Sequence, residues 1–92
     1  MATETRSATG IIEEILKKPM HDIKREILEL RSDNPKAYDE GRKIARDVLE
    51  SHDSLLYSLM VGTPIVRGEQ ERRVQYACMQ HALGKVSLAG MI

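Results

Sequence analysis

Apolar residues recur every three or four positions through the middle of the chain, which is the period of one face of an α-helix. The stretch follows Asn34, a good N-cap, and has Pro35 at the first helical position. It stops at Gly62, a residue that commonly ends helices. The repeat consists of Tyr38, Gly41, Ala45, Val48, His52, Leu55 and Leu59. We predict one helix over 35–61, about 40 Å long, around which the rest of the chain packs. Its weak point is 51–54, where Ser and Asp are good caps and the helix could break.

Shorter helical patterns lie on both sides of this stretch. We predict helices over 10–18, 20–32 and 65–83, with N-caps at Thr9 and Thr63 for the first and last. Pro19 lacks an N–H and clashes with the preceding turn, so the first two helices should meet at a break or a sharp kink.

The ends of the chain differ in character. Residues 1–9 are small and polar, and we expect a flexible N-terminal tail before a single helical domain over 10–92. After Gly84 the chain is apolar, and we expect that segment to pack back on the bundle.

The apolar residues are nearly all aliphatic, with three Tyr, no Phe and no Trp. Such a core suits helices better than sheets, which draw on aromatic and β-branched side chains. We therefore predict an all-α fold, a small bundle of three to four helices around one long central helix. The predicted core is Ile12, Leu16, Ile23, Ile27, Leu30, Ala45, Val48, Leu55, Leu59, Val74, Ala77, Cys78 and Ala82.

Small residues form a second stripe on the long helix, four positions apart, at Ala37, Gly41 and Ala45. Glycine inside a helix costs about 1 kcal/mol relative to alanine, so a packing reason is expected. We interpret the stripe as a close crossing with another helix. The alternative is that Gly41 is merely tolerated.

The charges balance, with 14 basic and 14 acidic residues, so no overall attraction to nucleic acid or to an anionic membrane is expected. A single cysteine excludes an internal disulfide and fits a reducing compartment. No apolar run approaches the roughly 18 residues of a membrane span, and the N-terminus lacks a signal-peptide core. We expect a cytoplasmic protein.

The residues able to carry chemistry are few. The histidines lie on three different predicted helices, and Cys78 precedes His81 by three positions on an apolar face. Burial is the usual fate of such a pair, and the chain contains no metal-binding or phosphate-binding motif. Cys78 also lies in mid-helix rather than at a helix N-terminus, which does not favour a reactive thiolate. We expect no metal, no cofactor and no enzymatic activity.

Binding of a partner protein is the function that the sequence favours. The stretch 55–61 is apolar around nearly its whole circumference, so it must be covered on all sides. We predict a small interaction or regulatory module that binds a protein partner and forms a homodimer. The predicted contact residues are Leu56, Tyr57, Met60 and Val61. Complete burial of this stretch inside one chain is the alternative.

Weak nucleic-acid binding is the second hypothesis. The last third of the chain carries four basic and two acidic residues, and an Arg-bearing helix after a turn could enter a major groove. The residues concerned are Arg67, Arg72, Arg73 and Lys85. No aromatic residue accompanies them for stacking on bases beyond Tyr76, so the basic footprint is thin.

Overall fold

Helices make up most of the described part of the chain. The computed structural model describes residues 8–51, 55–61 and 67–88, with side chains for 10–51, 55–58 and 68–88. The helices are α1 (Ala8–Lys17), α2 (Met20–Asp33), α3 (Pro35–Ser51), α4 (Leu55–Val61) and α5 (Arg67–Ala82). No strand occurs within those ranges, and the predicted all-α fold is confirmed.

The break at Pro19 is as predicted. Helix α1 ends at Lys17, and α2 begins at Met20. The Pro19 carbonyl accepts the N–H groups of Asp22, at 3.0 Å, and Ile23, at 3.2 Å, which makes it the starting point of α2. Proline is well placed there because it precedes the helix and has no N–H to satisfy. At the other end, α1 begins at Ala8, so the predicted cap Thr9 lies inside the helix; the second predicted cap, Thr63, lies outside the described residues.

Asn34 joins α2 to α3. Its N–H donates to the Leu30 carbonyl at 2.8 Å and closes the last turn of α2. Its side-chain Oδ1 accepts the Ala37 N–H at 3.2 Å and caps the start of α3. One residue therefore ends a helix and begins the next, as expected of an N-cap followed by proline.

The structure describes the predicted helix over 35–61 as two helices, and the predicted buried face is wrong in the second. Helix α3 has 17 residues and ends at Ser51, and a separate seven-residue helix, α4, begins at Leu55. The two helices do not share one apolar face, because Leu56 is 0% exposed whereas the predicted core residue Leu55 is 52% exposed. Residues 52–54, which include His52 of the predicted repeat, lie outside the described residues.

The predicted long helix corresponds to α3, the longest described helix, and α5 shares the centre of the packing with it. Helix α5 contacts each of the other four helices, and its most extensive contact is with α3. Side chains on most of its circumference are buried, which a helix needs when it is covered from several directions. The buried residues of α5 are Arg73, Val74, Tyr76, Ala77, Cys78 and Met79.

The small-residue stripe is the crossing point of α3 and α5, as interpreted from the sequence. Ala37 and Ala45 are 5% and 1% exposed, and Gly41 is buried between them. A Cβ atom at Gly41 would lie 2.7 Å from the Met79 Cα and 2.8 Å from the Met79 nitrogen. Only glycine allows the two backbones to approach this closely.

The segment after α5 folds back on the bundle, as predicted. The Gly84 N–H donates to the His81 carbonyl at 3.0 Å and the Lys85 N–H donates to the Gln80 carbonyl at 3.1 Å. This pair of bonds is a Schellman motif, and it places Gly84 at φ +83°, where glycine is favoured. Beyond the turn, Val86 and Leu88 are buried. The Leu88 N–H also donates to His81 Nδ1 at 3.1 Å, which holds the returning chain against α5.

Most of the predicted core is confirmed. The buried members are Ile12, Ile23, Ile27, Ala45, Val48, Val74, Ala77 and Cys78. Leu16, Leu30 and Ala82 are partly buried, and the Leu59 side chain lies outside the described set. The core also contains residues that the pattern did not assign to it: Ile15, Leu56, Tyr76 and Met79.

Candidate functional site

Leu28 is the most exposed large apolar residue in the described part of the chain. Its side chain is 60% exposed on the outer face of α2. Lys24 and Arg31, both exposed, lie four residues before it and three after it, and therefore on the same side of the helix. Leu28 also falls outside the apolar repeat that α2 shares with the core, so its exposure could have been expected from the sequence.

Residues of two other helices complete a shallow groove beside Leu28. Tyr38 of α3 and Arg72 of α5 line it together with Ile27, Lys24 and Arg31, and its volume is about 240 Å³. We call Lys24, Leu28, Arg31, Tyr38 and Arg72 the Leu28 patch. The sequence alone could not bring Tyr38 and Arg72 to this place, since both depend on how α3 and α5 pack against α2.

The Leu28 patch is positively charged although the chain is neutral. Lys24 and Arg31 make no polar contact with any described residue. Two acidic residues of α2 are paired with Arg25 instead. Arg25 Nη1 lies 3.1 Å from Asp22 Oδ1, and Arg25 Nε lies 3.9 Å from Glu29 Oε2. No acidic residue lines this groove among the described side chains.

Two further contacts shape the edge of the patch. The Arg42 guanidinium lies over the Tyr38 ring, 5.5 Å from its centroid, and adds a fourth positive charge close to the groove. Arg72 Nη1 donates to Gln75 Oε1 at 3.2 Å, a neutral partner that leaves the positive charge uncompensated. The patch can therefore attract an anionic group and give it an apolar contact as well.

The predicted protein contact on α4 is only partly at the surface. Leu56 is 0% exposed and belongs to the core, so its side chain does not face a partner in this structure. Tyr57 is partly buried and packs against the core cluster. The side chains of Met60 and Val61 lie outside the described set.

The predicted nucleic-acid residues are not brought together. Arg72 belongs to the Leu28 patch, whereas Lys85 lines a different groove, between α1 and α5. The Arg67 side chain is outside the described set. Arg73 was expected at the surface, but it is 6% exposed.

Arg73 is buried because it satisfies the end of α1. Its Nη1 donates to the Ile15 carbonyl and, at 2.8 Å, to the Lys18 carbonyl. Because α1 ends at Lys17 before Pro19, the usual acceptor pattern of a helix stops here: the Ile15 carbonyl accepts only a 3.3 Å bond from the Lys18 N–H, and Arg73 adds a second donor to it. A cation is favoured at this negative end of the helix dipole, and Glu69 Oε1 lies 3.9 Å from Arg73 Nη2. The residue is thus a helix cap supplied from another helix.

Cys78 and the histidines do not form a reactive group. The Cys78 thiol is 0% exposed, and burial raises its pKa to about 12, so the thiol keeps its proton at neutral pH. His81 Nδ1 accepts a hydrogen bond from Leu88, and His21 is exposed on α2. Within the described ranges, no three His, Cys, Asp or Glu side chains lie close enough together to hold a metal ion.

Comparison of the chain with known protein families, with curated proteins and with solved structures found no match. Among the helices that the structure describes, none has the length and apolar character needed to cross a membrane.

Proposed function

We propose that the protein is a small interaction module that binds a partner protein through the Leu28 patch. The observation that carries this proposal is Leu28 itself, which is 60% exposed and surrounded by basic side chains, with no acidic side chain among the described residues that line the groove. Apolar surface that is rimmed by polar residues is typical of protein-interaction sites, and here Ile27 and Tyr38 line the groove beside Leu28. The single buried thiol is consistent with action in the cytoplasm.

The charge of the patch indicates the kind of partner. A segment with acidic residues beside an apolar side chain would meet Lys24, Arg31 and Arg72 with its carboxylates and Leu28 with its apolar group. Complementary charges of this kind speed association and fix the orientation of the partner, and the apolar contact at the centre supplies much of the affinity. An amphipathic acidic helix fits this description best.

The test uses a designed helical peptide with leucines along one face and glutamates beside them, titrated into the isotope-labelled protein. We expect amide shifts confined to α2 and the nearby turns of α3 and α5. Both Lys24→Glu and Leu28→Ser should weaken binding about ten-fold, the first by replacing attraction with repulsion and the second by removing the apolar contact.

Matched controls are available outside the Leu28 patch. Lys43→Glu makes the same charge change on α3, and Leu55→Ser removes the other exposed leucine, 52% exposed on α4. Neither should change the affinity. Equal binding of a scrambled peptide, or equal loss in the control variants, would contradict the proposal.

Nucleic-acid binding through Arg72 and Lys85 is the competing proposal, and salt separates the two. Phosphate contacts give an affinity that falls steeply with salt, whereas an apolar contact at Leu28 retains part of the affinity. Duplex DNA bound more tightly than about 10⁻⁷ M at physiological salt, and released by Arg72→Ala, would favour nucleic acid. Arg73→Ala is unsuitable for this test because Arg73 is buried.

Self-association through α4 also stays a prediction. With Leu56 in the core, the residue left to carry it among the described side chains is the partly buried Tyr57. Light scattering of the purified chain at micromolar concentrations checks it, and a monomer throughout would remove the homodimer while leaving a foreign partner possible.

A further inference from the structure

A second concave surface lies between α1 and α5, away from the Leu28 patch. It has a volume of about 550 Å³, within the range of small-molecule sites. Its apolar wall consists of Ile11, Ile15 and the ring of Tyr76. We call it the α1–α5 groove.

The wall of the groove is held in place by contacts within the protein. The Tyr76 hydroxyl donates to Glu26 Oε1, and Lys18 Nζ lies 2.9 Å from Glu26 Oε2. Lys18 Nζ also lies 6.0 Å from the centroid of the Tyr76 ring. Arg73 fixes the end of α1 beside this network through the Ile15 and Lys18 carbonyls. The shape of the groove is therefore set before any ligand arrives.

Two cations of the groove are not used by these contacts. Lys17, at the end of α1, and Lys85, in the turn after α5, both line the groove and are exposed. Neither ammonium group makes a hydrogen bond or an ion pair with a described residue. Among the described residues that line the groove, Glu14 is the one acidic residue, and it already takes part in an interaction within the chain. The groove thus combines an apolar wall with a net positive rim.

We propose that the α1–α5 groove binds a small amphiphilic anion, with its acidic headgroup between Lys17 and Lys85 and its apolar body against Ile11, Ile15 and Tyr76. The ligand class is a medium-chain alkyl carboxylate. Lys18 is not the main contact, because Glu26 already compensates its charge. This site is independent of the partner-binding proposal, since it shares no residue with the Leu28 patch.

The test is an amide-shift titration of the full chain with three probes: octanoate, acetate and 1-octanol. Octanoate has both the headgroup and the apolar body, and the other two have one each. We expect saturable shifts from octanoate alone, centred on the end of α1, the Tyr76 turn of α5 and the turn at Gly84. If acetate gave the same shifts as octanoate, the groove would bind only a counter-ion. If 1-octanol gave the same shifts, the groove would be only an apolar surface. Either result overturns the proposal.

Charge variants complete the test. Lys17→Gln and Lys85→Gln should each weaken octanoate binding about two- to five-fold, as expected for a partly exposed ion pair, and the double variant about ten-fold. Lys43 lies on α3 and does not line the α1–α5 groove. Lys43→Gln removes the same charge and should leave the affinity unchanged. All three lysines are exposed, so the variants should keep the wild-type circular dichroism spectrum. Unchanged octanoate affinity in the double variant would contradict the assignment.

Discussion

Gly41 is a residue whose single hydrogen side chain decides how α3 and α5 meet. A Cβ there would come within 2.8 Å of the Met79 nitrogen, and backbone atoms cannot move aside as a flexible side chain can. We expect Gly41→Ala to lower the free energy of unfolding by about 2 kcal/mol, since overpacking outweighs the better helix propensity of alanine.

Gly68 provides the matched control for this substitution. It is an exposed residue in the first turn of α5, and a Cβ there would meet nothing within 4 Å. Gly68→Ala should therefore raise stability by about 0.5 kcal/mol, through helix propensity alone. Thermal unfolding followed by circular dichroism measures both changes. If the two variants shift the midpoint in the same direction, the close crossing at Gly41 is wrongly placed.

Single residues also show where sequence reasoning stops. The stripe of Ala37, Gly41 and Ala45 could be identified because its spacing is local. Arg73 could not, because the carbonyls that it caps are 58 and 55 positions away in the chain. The local sequence around Arg73 does not indicate that it caps a helix end so far away in the chain.

At the level of helices, α4 buries a different face from the one that the repeat of α3 predicts. Adjacent residues of a helix point about 100° apart, and the buried position in α4 is Leu56 rather than Leu55. The apolar period runs through 51–54 unchanged, and the local signals against one continuous helix are the capping residues Ser51, Asp53 and Ser54. Caps at Asn34 and the break at Pro19 were stronger signals, and those boundaries were predicted correctly.

The neighbouring leucines of α4 give a direct test of this assignment. Leu56→Ala should lower the free energy of unfolding by about 2–5 kcal/mol because Leu56 is 0% exposed. Leu55→Ala should change it by less than about 0.5 kcal/mol because Leu55 is 52% exposed. Urea denaturation of the two variants measures the difference. Equal costs would mean that α4 faces the core with a different side.

At the scale of the whole molecule, the described helices share one core, and the radius of gyration is 12.3 Å. This value is close to the roughly 12 Å expected for a compact chain of this length. Such a chain should unfold in one cooperative step, so a single free energy of unfolding describes it. The composition indicated this outcome, but the central position of α5 depends on tertiary contacts with four other helices.

Cys78 at the centre of that core makes stability depend on alkaline pH. Burial raises its pKa from 9.0 to about 12, so between these values the unfolded chain releases a proton that the folded chain keeps. The contribution of the protonated Cys78 thiol to the free energy of unfolding is complete below about pH 9 and is lost as the pH rises towards 12. Burial and the hydrogen bond to Glu26 raise the pKa of Tyr76 as well, with the same sign of effect.

Comparison with Cys78→Ala isolates the thiol. Between pH 7 and pH 10.5, the free energy of unfolding should fall by about 2 kcal/mol more in the wild-type protein than in the variant. This follows from 1.36 kcal/mol per proton and pH unit. Urea denaturation at the two pH values measures this difference. Parallel pH profiles would show that the thiol is not buried in solution.

Arg73, which caps α1, is synthesised long after α1 itself. The ribosome releases Ile15 and Lys18 first, and Arg73 follows 58 and 55 residues later. Until then the Ile15 and Lys18 carbonyls lack the bonds from Arg73, and an isolated helix of 10 residues is marginal in water. We expect the first helix synthesised to be among the last to become stable, which full-length and truncated nascent chains compared by protease protection of α1 would reveal.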